Sequence, residues 1–469
     1  MKKTEKNSKQ QVDDIQITND QITGRGGLTL FVHYLQNTGI LDSLCDKFSD
    51  LRKISSGISV RDFFKSINCW FYDGSSRHLC YFDHLKQDEA YAEAIEIAIQ
   101  DMPSSHQVKR LFNAFTQDNV ERFRSILNDI FIWRLKHEKP EIIEMYIDVM
   151  ILNNNDAKKR EGVEVTYKKV LGYQSLHLGY NGTIIDSVFR SGSKHSNHGN
   201  DACDLIKRNV SLIRSEYRNV PIVIKMDAGF FDKKLYDELD RMGVIFVASG
   251  KNYDFVKTHV ESMKDSDYGW ERYYDSENRY YDFFEFGYRC NTWDKFYRAI
   301  FTRIGHKPGE QMVFDFCREE SVIITNLGMR PELKLSENES IAWLLSRGEA
   351  IIYAQHQCGK DELVHRAFKD FGFQELPFQR FQPNQAVFYC MLISFAIFEA
   401  YKNDVLNGIV PNISRSYATT VRRIAVDFAA KIVRTGHRKI MKVTRATYEF
   451  LKMEELWQRC QNPPKLALA

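Results

Sequence analysis

The 469-residue chain has no uninterrupted run of eighteen apolar residues, so no segment reads as a membrane span. Its first stretch, MKKTEKNSKQQVDD, is charged and has no apolar h-region. This argues against a secretory signal and predicts a disordered tail over 1–24. Nine cysteines, an odd number with no Cys-x-x-Cys pair, leave no basis for a disulfide framework or a structural zinc site; free thiols in a reducing cytosol are expected. The expected location is cytoplasmic, beside the nucleoid, with no membrane partner.

Acids are scarce towards the C-terminus. From Arg415 onwards only Asp427, Glu449, Glu454 and Glu455 stand against a dozen Lys and Arg, although the whole chain carries a net charge of only +3. A local excess of this kind suits a phosphate backbone, with Arg422, Arg423, Arg438 and Lys439 as candidate contacts. It also suits a solvated helical tail.

What is present divides the chain into six regions. After the tail, residues 25–140 read as helices, with Ser59 and Ser104 or Ser105 as N-caps. Short helices carrying Lys109, Arg110, Arg122, Arg124 and Arg134 fit a DNA-binding or dimerising head, or a plain bundle; no helix-turn-helix is legible. Residues 141–252 change to an α/β pattern. EIIEMYIDVM reads as a strand ending at Asp148, and two more strands are joined by Asn181-Gly182, a hairpin signal. Residues 253–335, crowded with Tyr, Phe and Trp, read as a β insertion domain. Helical periodicity returns over 336–410, ending in the apolar helix QAVFYCMLISFAIFEAY, and a basic helical region covers 411–469.

The central stretch is PIVIKMDAGFF, 221–231. Ile222, Val223 and Ile224 form a buried strand, Asp227 stands at its C-terminal end, and an amphipathic helix and a second apolar strand follow. Functional groups of α/β sheets gather at such ends, but Asp also caps turns well. With Asp148 on an earlier strand and Glu362 on a later helix, three acids occur in a spacing that could hold hard divalent cations. His195, Asn197 and His198 in SKHSNHGN read as polar loop or DNA contacts rather than metal ligands. Trp270 and Trp293 suit either core packing or stacking on an unpaired base.

These residues resemble a known family. YIDVM at Asp148, IKMDAGFF at Asp227 and CGKDELVHRAFKDFGFQELPFQRFQPN at Glu362 look like the DDE-type transposases of bacterial insertion sequences, in the cut-and-paste branch with a β insertion domain. The resemblance covers about 141–400. It implies an α/β fold of the ribonuclease H and retroviral integrase kind, a mixed-sheet core interrupted by the β-rich insertion and flanked by helical regions. It implies Asp148, Asp227 and Glu362 as catalytic metal ligands, holding Mg²⁺ (with Mn²⁺ as a substitute), two ions per site. It also implies double-stranded DNA partners, both terminal inverted repeats and target, and a homodimeric synaptic complex. Arg366 and Lys369 correspond to the family's phosphate contacts. Tyr353 and His356 stand near its upstream Tyr and Arg, with two departures: Tyr353 lies nine residues before Glu362 with His356 and Gln357 in place of an Arg, and Val149 follows Asp148 where relatives often have Thr. Two other functions fit the same residues: a transposase-derived DNA-binding protein without cleavage, and a ribonuclease H-like nuclease without strand transfer.

Overall fold

The computed structural model describes residues 14–51, 57–264, 269–276, 278–305, 320–328 and 346–465; the side chains at 264 and 358–362 also lie outside the described residues. The expected tail over 1–13 and the aromatic stretch MVFDFC, 312–317, lie outside them too.

In chain order, the N-terminal part holds β1 (Gln21–Thr23), α1 (Gly27–Asn37), α2 (Ile40–Lys47), α3 (Val60–Asp73), α4 (Phe82–Leu85), α5 (Glu89–Ala94), α6 (Ser105–Ala114) and α7 (Gln117–Glu138). Ser59 caps α3 by accepting from the Asp62 amide, and Ser104 caps α6 in a reciprocal box with Gln107. Then come β2 (Ile143–Asn153), β3 (Glu164–Val165), β4 (Leu171–Tyr180), β5 (Thr183–Val188), α8 (Asp201–Glu216), β6 (Ile222–Met226), α9 (Lys233–Arg241) and β7 (Ile245–Ser249). They are followed by α10 (Asp254–Lys264), β8 (Glu271–Tyr274), β9 (Tyr280–Tyr288), β10 (Tyr297–Gly305) and β11 (Glu320–Thr325). The chain closes with α11 (Gly348–His356), α12 (Cys358–Phe371), α13 (Phe381–Tyr401), α14 (Ala418–Ala425), β12 (Ala430–Thr435), β13 (Arg438–Val443), α15 (Arg445–Phe450) and α16 (Met453–Gln461).

The core is a mixed sheet. β2, β4 and β5 form an antiparallel meander whose β4–β5 turn places Asn181 and Gly182 at φ 42° and 78°, as a tight hairpin of the right twist requires. The chain then crosses through α8 to β6, parallel to β2, and through α9 to β7, parallel to β6. A meander with its first strand at the centre, extended by two parallel strands each entered from a helix, is the ribonuclease H-like arrangement. β2 does not stop at Asp148: it runs on to Asn153, because β4 continues to pair with it beyond the end of β6.

The aromatic strands do not form a sheet of their own. β11 pairs with β7, and β10, β9 and β8 follow in order, giving a ten-stranded sheet among the described residues. Asn326 locks this junction: it accepts from the Phe246 amide at 3.0 Å and donates to Val244 O at 2.9 Å and Asp240 at 2.7 Å. Trp293 is buried there, while Trp270 donates to Met263 O and lies under the Arg303 guanidinium.

Two further expectations are corrected. Residues 21–23, placed in the tail, form β1, and the C-terminal region carries the β12–β13 hairpin, so it is not wholly helical; the three strands make a separate small sheet. Phe381–Leu406 is long and apolar enough to cross a membrane, but 89% of its apolar window is buried in the protein. Its α13 portion is the axis of a helical core built from α1, α3, α6 and α7 on one side and the C-terminal elements on the other.

Candidate active site

Sheet register brings the first two acids together. β2 and β6 are paired in parallel up to Ile147 and Met226, so Asp148 and Asp227 are the next residue on each of two neighbouring strands. Asp227 leaves the sheet in extended conformation and caps the short 3-10 turn Ala228–Phe230, its Oδ1 accepting from the Gly229 amide at 2.8 Å. The capping role read from the sequence is therefore present. It occupies one acceptor direction of a carboxylate that has about four. Gly229 is needed in this turn because a Cβ there would lie 2.7 Å from Ser196 Oγ. That contact seats the loop containing His195 and His198 beside the turn. Lys194 Nζ lies 2.9 Å from His198 Nε2, and no group of three or more metal-ligating side chains occurs among the described residues.

Asp148 sits opposite His177 of β4. His177 is buried, its Nε2 lies 2.9 Å from Ser175 Oγ, and burial holds its pKa well below the usual histidine value. His365 of α12 packs 5.4 Å from the His177 ring, with its Nδ1 3.6 Å from Asp148 Oδ2. Burial, with Lys369 nearby, lowers the His365 pKa to about 3, so at neutral pH this is a polar contact with a neutral imidazole and not an ion pair.

The two acids line a cleft of ≈ 1060 Å³ between the sheet end and α12, with Lys168, Lys225, Arg366 and Lys369 around them and Gln355, Tyr167 and Tyr417 completing the wall. Arg366 is exposed, its guanidinium 5.3 Å from the Tyr417 ring centre. Glu362 lies in α12, and its side chain is outside the described residues. Helical spacing puts position 362 on the face that carries 365, 366 and 369.

The remaining candidate contacts separate. The His356 ring lies 4.6 Å from the Tyr281 ring of β9, tilted by 50°, and is absent from the cleft wall, as is Tyr353, 51% exposed. Arg422 is removed from the DNA-contact set. Its guanidinium donates to Tyr72 O and Phe71 O, both at 2.8 Å, to Asp370 O at 3.2 Å and to Phe371 O, where α3 and α12 end. Lys439 lies 3.4 Å from Glu93, whereas Arg423 and Arg438 are exposed. Lys225, Gln355, His365 and Tyr417 were not singled out from the sequence. Lys225 lies within the IKMDAGFF motif and carried a signal; a lone His, Gln or Tyr on separate elements carries none.

The family described as transposase DDE domain, group 1, matches residues 5–462. No curated protein matches the sequence. Among solved structures, the cryo-EM structure of the piggyBac transposase synaptic complex with hairpin DNA overlays with a TM-score of 0.38 at 12% identity, covering 95% of this chain and 85% of that chain. With two acids side by side on neighbouring strands of a ribonuclease H-like sheet and a family match over nearly its whole length, the chain belongs to the DDE transposases.

Proposed function

We propose that this transposase binds transposon ends, cleaves them by metal-dependent phosphodiester hydrolysis and transfers the strands into target DNA, acting as a homodimer on two ends. The observation that carries this reading is that Asp148 and Asp227, each one residue beyond the last β2–β6 pair, line one cleft with Lys168, Lys225, Arg366 and Lys369. Carboxylate oxygens are the donors that hard cations select. Asp148 and Asp227 fit Mg²⁺ (or Mn²⁺ in its place), and Glu362 would complete the set. Two such ions, when bound, would activate the attacking oxygen and stabilise the leaving one.

The chain's own groups do the positioning. Neutral His365 packs against Asp148 and ties α12 to β2. Arg366 and Lys369 present positive charge one and two turns beyond position 362, where charge-assisted contacts to flanking phosphates would hold the scissile strand in register. The Gly229 turn fixes Asp227 against the sheet end.

Asp148→Asn, Asp227→Asn and Glu362→Gln are each expected to reduce cleavage of a duplex carrying the element's terminal repeat to background, with duplex binding retained. A variant cleaving at near wild-type rate would remove that acid from the site. Wild-type protein that binds ends yet cuts nothing with Mg²⁺ or Mn²⁺ would be a DNA-binding protein only. Cut ends that never join target DNA would mark a nuclease.

A further inference from the structure

The β12–β13 hairpin has two unlike faces. Register pairs Ala430 with Val443, Ile432 with Met441 and Arg434 with Lys439 on one face, and Lys431 with Lys442, Val433 with Ile440 and Thr435 with Arg438 on the other. The first face is turned inwards: Ala430 and Ile432 are buried, and Met441 and Val443 pack on the helical core. At its tip Arg434 and Lys439 both reach Glu93 of α5, at 3.2 and 3.4 Å. The hairpin is thereby anchored at its base and at its tip.

The second face is turned outwards and carries cations and apolar groups with few acids. Lys431 pairs with Asp20 at 2.7 Å, whereas Arg438 and Lys442 make no ion pair among the described residues. Lys431 and Lys442 lie directly opposite each other, and Asp20 offsets the charge of Lys431. Between the cations sit Val433 and Ile440, the latter 37% exposed, with Ile22 of β1, 50% exposed, in register with Lys431. β1 pairs only as far as Ile432, so the hairpin from Val433 to Ile440 is a two-stranded ribbon with the Gly436 turn at its end.

We propose that this ribbon enters the major groove of double-stranded DNA with its outward face, a docking mode that rests on the DNA-binding reading given above. The major groove, about 12 Å wide, admits a two-stranded β-ribbon. Arg438 and Lys442 then meet phosphates or guanine edges, and Val433 and Ile440 meet thymine methyl groups, which accounts for apolar side chains left in water on a basic face. The inward face stays on the protein, held by Glu93. The ribbon lies apart from the acidic cleft, so it fixes where the duplex sits rather than taking part in its cleavage.

The test uses the full chain, a fluorescent random-sequence duplex and anisotropy over a salt series. The double variant Arg438→Ala with Lys442→Ala is expected to make the slope of log K against log salt shallower by about 2. Methyl green, which occupies the major groove, should compete with the wild type, whereas netropsin, which occupies the minor groove, should not. The variant's melting curve should match the wild type's, because both side chains are exposed and neither makes an ion pair among the described residues. A wild type that binds while the variant keeps the same slope overturns the ribbon and leaves the DNA reading intact, as does competition by netropsin alone. A wild type that binds no duplex overturns both.

Discussion

Arg422 and Arg423 are neighbours in the same basic run, and their environments assign them different work. The Arg422 guanidinium satisfies four backbone carbonyls at the ends of α3 and α12, groups that those helices cannot pair internally. Removing it strands these acceptors. Arg422→Ala is expected to cost on the order of 3 kcal/mol, and Arg422→Lys should rescue little, since an ammonium lacks the planar fork. Arg423→Ala should change stability by less than about 0.5 kcal/mol. Thermal melts of the three variants check this ordering. A second residue-scale prediction concerns pH. Glu96 meets His33 Nε2 at 2.8 Å, and that hydrogen bond holds its carboxyl below the ordinary 4.5. A depressed carboxylate stabilises the fold above its unfolded value and loses that contribution as pH falls through the folded one. The side chain is 35% exposed, so the contribution is about 0.5–1 kcal/mol. The melting-point gap between wild type and Glu96→Gln should therefore be full near neutrality and close below pH 4.5.

At the scale of elements, one buried carboxylate joins the N-terminal helices to the sheet. Asp186 of β5, fully buried, accepts from Arg124 of α7 at 2.8 and 2.9 Å and from Asn209 of α8 at 2.8 Å. Asp186→Ala leaves buried donors of Arg124 and Asn209 without their acceptor, with Glu121 at 3.1 Å remaining beside Arg124, so it should cost about 1–3 kcal/mol. The urea midpoint should fall with an unchanged m-value. Asp186 did not stand out in the sequence and Arg124 was read only as one of several basic residues on the N-terminal helices, because one Asp and one Arg far apart carry no pattern. Elements with local periodicity were legible: the Ile222–Ile224 strand, the amphipathic α9, the Asn181-Gly182 hairpin, the apolar α13. The order of the acids and the place of Asp227 at the end of its strand were legible for the same reason, whereas Asp148 lies within β2 because β4 goes on pairing beyond it. What depended on non-local pairing was not. β1 is three residues long and exists because β12 lies beside it. β12 and β13 were hidden by cationic residues, with only the Gly436 turn to mark them. The junction of β11 with β7 joins residues far apart in sequence and is braced by Asn326, a single residue that carries no pattern. His365 acquires its place beside Asp148 only because β4 brings His177 behind it.

The whole molecule bears on how the basic C-terminal segment can be tested. Its charge suggests a detachable DNA-binding tail, but its apolar residues belong to the same core as the N-terminal helices. Val421, Val426, Leu451 and Leu456 are buried with Leu28, Phe31 and Leu35 of α1 against α13. Polar links run the same way: Asn37 donates to Cys460 O at 2.9 Å, Trp133 Nε1 to Lys465 O at 3.0 Å, and Arg25 pairs with both Asp73 and Asp427. Each large buried aliphatic contributes about 1.5–3 kcal/mol, so these four alone account for roughly 6–12 kcal/mol, comparable with the total stability of a typical domain. Deleting 415–469 is therefore expected to unfold or aggregate the helical body, seen as low soluble yield and loss of a cooperative melt, and any accompanying loss of DNA binding would say nothing about phosphate contacts. A truncated chain that melted within a few degrees of the full one would show that the C-terminal segment is dispensable to the core. Short of that result, the contribution of its exposed cations is measurable only by point substitutions that leave Val421, Leu451 and Leu456 in place.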